Sequence, residues 1–94
     1  MDFKVPYTQT DSRDAAYERV KTQITPESIE KFKVKADLNY QDEDKVITAT
    51  GKGFGLTMKF QADHCEVALE LSFMLKAFKG KILESLEKQL KRIV

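Results

Sequence analysis

The chain has 94 residues, 41% hydrophobic and 33% charged, with a net charge of +1. That length implies a single domain, residues 1–94, with no room for a second core. The near-neutral balance lacks the basic surplus with which nucleic-acid binders attract phosphate, so no nucleic-acid partner is expected.

Phe3-Lys4-Val5-Pro6-Tyr7 alternates apolar and polar residues. Pro6 has no N–H to give to a ladder, so this short first strand suits a sheet edge or a strand end. Asp11 or Ser12 then offers a side-chain cap, and Asp14 adds negative charge at the positive end of the helix dipole. Ala16, Val20 and Ile24 follow at steps of four, with Tyr17 beside them, which predicts a first helix over about 12–24. Thr25-Pro26 ends it, since a residue before proline is pushed out of helical geometry. Residues 26–30 suit one further helical turn.

Phe32, Val34, Ala36, Leu38 and Tyr40 alternate with polar residues, the period of a half-buried strand. Gln41 to Asp44 is a polar turn. In the next strand, Lys45 to Thr50, two apolar faces compete; Ile47 and Ala49 are expected to be the buried ones. Gly51-Lys52-Gly53 turns the chain. Phe54, Leu56, Met58 and Phe60 then alternate along a fourth strand, and Gln61 to His64 turns it again. Cys65, Val67, Leu69, Leu71 and Phe73 alternate along a fifth. Finally Leu75, Phe78, Ile82, Leu86, Leu90 and Ile93 recur at steps of three and four, one side of a helix over 75–94.

The order is β-α-β-β-β-β-α. Alternation with one polar face marks an antiparallel sheet wet on one side, and two amphipathic helices can cover the other. The expected fold is therefore α+β, two-layered, with about five antiparallel strands. The first strand could lie antiparallel to the last or parallel to the second; the antiparallel placement is preferred. Two open sheet edges favour a homodimer.

The chemistry-bearing residues are few. Asp63-His64-Cys65 could suggest an activated thiolate, but neighbours in a strand point to opposite faces. Cys65 should enter the core while His64 stays outside. One Cys and one His fall short of a structural zinc site. The single cysteine also excludes an intrachain disulfide and fits a reducing compartment. Gly51-Lys52-Gly53-Phe54-Gly55 is followed by a strand rather than a helix, so it reads as a hairpin and not a phosphate loop. Gly53 and Gly55 leave bare backbone where a partner could approach. Glu66 and Glu70 belong to the outer sheet face, with Lys59 among their cross-strand neighbours. Asp42, Glu43 and Asp44 lie in a turn, so no buried acid–base pair is expected. The final helix carries Lys76, Lys79, Lys81, Lys88, Lys91 and Arg92, a basic surface suited to an anionic partner. Its apolar stripe is needed to cover the sheet, so the helix itself should not face lipid. Phe32, Phe54, Phe60, Phe73 and Phe78 are expected to fill the space between helix and sheet rather than to line a pocket.

From Gly55-Leu56-Thr57-Met58-Lys59-Phe60, through Val67-Ala68-Leu69-Glu70-Leu71-Ser72-Phe73-Met74-Leu75-Lys76-Ala77-Phe78-Lys79-Gly80-Lys81-Ile82, to Glu84, Leu86, Gln89 and Leu90, the chain resembles the polyhydroxyalkanoic acid system family. These are small bacterial proteins of about this length, associated with polyhydroxyalkanoate synthesis or use. The resemblance spans about 51–90; the N-terminal helix agrees in character only. It implies association with polyester storage granules, their machinery or an acyl-lipid surface, and supplies no catalytic residues. The element order is also similar to part of a helix-grip lipid-binding fold, although the strands that would close a deep cavity are missing.

The expected function is therefore that of a non-enzymatic binding or assembly protein without a cofactor. The possible interaction surface comprises Lys76, Lys79, Lys88, Lys91, Arg92, Gly53 and Gly55. The alternatives are a carrier holding an acyl ligand between helix and sheet, or an enzyme using Cys65 or His64. The opening residues carry no apolar signal core, and no run reaches the roughly 20 apolar residues of a bilayer span. A cytoplasmic location is expected.

Overall fold

The computed structural model describes residues 2–25, 27, 36–73 and 75–94. The elements are β1 (Phe3–Pro6), α1 (Arg13–Gln23), β2 (Asp37–Gln41), β3 (Val46–Gly51), β4 (Phe54–Phe60), β5 (His64–Leu71), a short 3-10 turn (Lys76–Phe78) and α2 (Lys79–Ile93). The expected turn at 26–30, and Phe32 and Val34 of the expected second strand, fall outside the described residues apart from Glu27.

The sheet runs in the order β1-β5-β4-β3-β2 with every neighbour antiparallel. The preferred placement of β1 beside β5 holds: Phe3 stands opposite Val67 and Pro6 opposite His64. Pro6 thus lies on an edge strand, where its missing donor disrupts the ladder least.

Each element forms for a local reason. Ser12 Oγ accepts from Ala15 N at 3.2 Å and starts α1. Ile24 ends it in extended geometry just before Pro26. Lys45 closes the β2–β3 turn at φ 56°, a left-handed position that costs a non-glycine residue energy. Its ammonium is well used there, lying 5.0 Å from the Tyr17 ring centroid and 3.7 Å from Asp14 Oδ1.

Both helices lie on one face of the sheet; α2 packs on α1, β1 and β5, and α1 packs on β4. The core takes Ala16, Tyr17 and Val20 from α1, Ile24 from its C-cap, and Ile82, Leu86 and Leu90 from α2. The sheet contributes Val5, Ile47, Ala49, Phe54, Leu56, Met58, Phe60, Cys65, Val67 and Leu69. Ile47 and Ala49 are the buried side of β3, as expected. Tyr17 stands edge-on to Phe60, with centroids 5.5 Å apart, and its hydroxyl donates to Asp42 Oδ1 at 2.6 Å. A buried aromatic ring with a satisfied polar tip anchors α1 to the β2–β3 turn. These side chains fill the space between the layers.

Two aromatic residues depart from expectation. Phe73 was expected to continue the buried side of β5, and Phe78 to begin the stripe of the last helix. Phe73 is 90% exposed and Phe78 55%. β5 ends at Leu71, which pairs with Phe54, the first residue of β4; beyond it there is no partner strand to set a face. The chain then turns tightly: Ser72 N donates to Gly53 O, Leu75 N to Ser72 O and Phe78 N to Leu75 O. The 3-10 turn has about three residues per turn instead of 3.6, so the helical phase extrapolated back from Ile82 is lost.

The far end of α2 is held differently. The Val94 side chain is buried, and its oxygen accepts from the backbone N–H groups of Thr8, Gln9 and Thr10 and from the Thr10 hydroxyl. Arg19 donates to Ile93 O at 3.2 Å, satisfying a carbonyl of the last helical turn.

Candidate functional site

Cys65 and His64 do not meet. Cys65 is fully buried beside β1, and burial pushes its thiol up to about 12, so it carries no thiolate at neutral pH. His64 stays on the outer face, clamped between two carboxylates: Nε2 is 3.0 Å from Glu66 Oε2, and Nδ1 is 2.6 Å from Asp63 Oδ1. Glu66, then Asp63, raise its pKa by favouring the imidazolium, which donates from both nitrogens. This is an electrostatic clip on the β4–β5 turn. His64 and Glu66 stand two apart on one strand, a spacing that puts both on the outer face and is the sequence signal for this pairing. Among the described residues, no group of three or more His, Cys, Asp or Glu is placed to hold a metal.

The residues of the basic surface divide into three places. Lys88 pairs with Glu84 at 3.5 Å and Lys91 with Glu87 at 3.1 Å, both one helical turn away, so these two charges are answered locally. Arg92 lies at the C-terminal end. With Arg19, Gln23, Ile24, Gln89 and Ile93 it borders an open cleft of about 540 Å³ between the two helices. Lys76 and Lys79 lie at the opposite end, where the β5–α2 link meets the β3–β4 hairpin.

That hairpin end is built by Gly53. Its φ is +74°, and an added Cβ would come within 2.7 Å of Ser72 Oγ and 3.0 Å of Ser72 Cβ. The open side of Gly53 is therefore filled by its own chain, which lets the link close over the hairpin. Gly55 has only Glu70 Cβ at 4.0 Å and keeps bare backbone on the outer face. Leu69, Glu70, Leu71, Lys76 and Lys79 border an open cleft of about 520 Å³ beside the link. Lys79 also binds Asp2 Oδ1 at 3.1 Å, while Asp2 Oδ2 accepts from Leu69 N at 2.6 Å. These contacts, the bond to Leu69 first, hold the Asp2 carboxyl below the usual range. The first turn of α2 contains no acidic residue and no side-chain cap. Lysines therefore stand at the positive end of the helix dipole, where folding alone would favour carboxylates. The hairpin end thus combines two exposed phenylalanines with Lys76 and with Lys79, which is paired with Asp2.

A family model described as "Putative polyhydroxyalkanoic acid system protein (PHA_gran_rgn)" matches residues 10–94. The chain belongs to that family, as its C-terminal residues suggested. No curated protein and no solved structure matches it. No helix among the described residues is long and apolar enough to cross a membrane.

Proposed function

We propose that this protein is a non-enzymatic binding or assembly component of a polyester storage system, working at the surface of the granule or on the machinery there. The family match over residues 10–94 carries this reading. It is supported by a layered core filled with side chains and by charge and aromatic surface gathered at one end. The protein acts in the cytoplasm as a homodimer in this reading. Storage of an acyl ligand between helix and sheet is the weaker alternative, because Tyr17, Met58, Phe60 and Leu86 occupy that space.

The test is sedimentation of the purified protein with isolated polyester granules. The expected result is retention in the granule fraction that weakens as salt is raised, because part of the attraction is screened electrostatics. Recovery wholly in the supernatant at low salt would overturn the reading.

A further inference from the structure

Among the described residues, the exposed large apolar side chains are Phe73 and Phe78. Both belong to the link between β5 and α2, which the Ser72–Gly53 hydrogen bond pins to the β3–β4 hairpin. Isolated exposed apolar residues are ordinary. Two exposed phenylalanines on one short link, with half-buried Leu71 and Leu75 on either side of Phe73, supply a short apolar stretch.

The charges along this link and the hairpin tip it meets are mixed, with lysines in slight excess over carboxylates. Lys76 lies between the two phenylalanines in sequence, and Lys79 and Lys81 follow in the first turn of α2. Lys52 occupies the tip of the hairpin. The nearby carboxylates are Asp2, already bound to Lys79 and Leu69 N, Glu70 on the outer sheet face opposite Gly55, and Asp37 at the start of β2. Lys52, Lys76 and Lys81 make no ion pair among the described residues.

We propose that this end of the molecule docks onto an anionic phospholipid surface. Phe73 and Phe78 enter the acyl boundary, while Lys52, Lys76 and Lys81 reach the headgroups. The inference rests on the reading that the protein works at a granule surface, and it names the chemistry of that surface. The stripe of α2 cannot serve as the anchor, since Ile82, Leu86 and Leu90 are committed to the core. An interfacial anchor needs apolar side chains to insert and cations to meet the headgroups, and the link supplies both. Lysine stems extend along apolar surface while the ammonium stays at headgroup level. A second copy is a poor occupant: two-fold pairing through this patch would set its lysines against the same lysines.

The experiment is co-sedimentation of the full chain with vesicles of equimolar phosphatidylglycerol and phosphatidylcholine. Phosphatidylcholine vesicles and lipid-free polyester particles are run in parallel. Wild type is expected to bind the anionic vesicles and to bind phosphatidylcholine far less. F73S/F78S should bind on the order of tenfold more weakly per phenylalanine removed. K76E/K81E should lose at least about fivefold per lysine. Both variants should keep the wild-type circular dichroism and melting temperature, because these side chains are exposed; the milder F73A and K76Q serve if a double variant does not fold. Anionic-vesicle binding unchanged in the folded variants would overturn this docking face and leave the granule reading standing. Binding to bare polyester but not to vesicles would do the same. Failure to bind either particle or intact granules would overturn both. A dimer that F73S/F78S dissociates, with no vesicle binding by wild type, would show a self-interface and end the proposal.

Discussion

His64 has a carboxylate on each ring nitrogen, and both bonds form fully only when the imidazole is protonated. Its folded pKa is therefore raised above the ordinary histidine value of 6.5, through Glu66 first and Asp63 second. The clip contributes its full stability below the unfolded pKa and loses it as pH rises through the folded pKa. An NMR titration of the ring should show a midpoint above 6.5, and Glu66→Gln should lower that midpoint. A wild-type midpoint at or below 6.5 would contradict the geometry. Period two along the strand was enough to put Cys65 inside and His64 outside. It could not show that the His64 ring turns toward both carboxylates, because rotamers depend on what surrounds the strand.

At the scale of elements, Gly53 and Gly55 look alike in the sequence but serve different ends. Gly53 takes a left-handed φ and lies against Ser72, whereas Gly55 sits in open space on β4. Gly53→Ala should destabilise the protein by about 1–3 kcal/mol, through backbone strain and displacement of the link. Gly55→Ala should stay within about 0.5 kcal/mol of wild type. Urea unfolding of the two variants checks this, and equal effects would refute the role given to Gly53. The same link explains the two misplaced phenylalanines. Alternation reads straight through Leu71 to Phe73, yet a strand has faces only while a neighbour pairs with it, and β4 begins opposite Leu71. The helical stripe likewise reads back to Phe78 and Leu75, although the regular helix begins at Lys79.

For the whole molecule, β1 and β2 form the sheet edges. β1 carries Lys4 and Pro6, which discourage edge pairing, whereas β2 has no proline within its span. A homodimer that continues the sheet should therefore form through β2. Light scattering should report a dimer that Asn39→Pro converts to monomer. A wild-type monomer at high concentration would remove the dimer from the functional reading.

Composition and periodicity by themselves determined the element order, the antiparallel meander, the buried faces of β4 and most of β5, and the core role of Ile82, Leu86 and Leu90. Those features follow from local spacing, which repeats within each element and needs no partner to be read. Tertiary structure alone decided where β5 ends, that Lys79 meets Asp2 and Lys45 meets Asp14, what fills the space beside Gly53, and that Phe73 and Phe78 face outward. Each of these depends on a group distant in the chain, so no local window contains the cause.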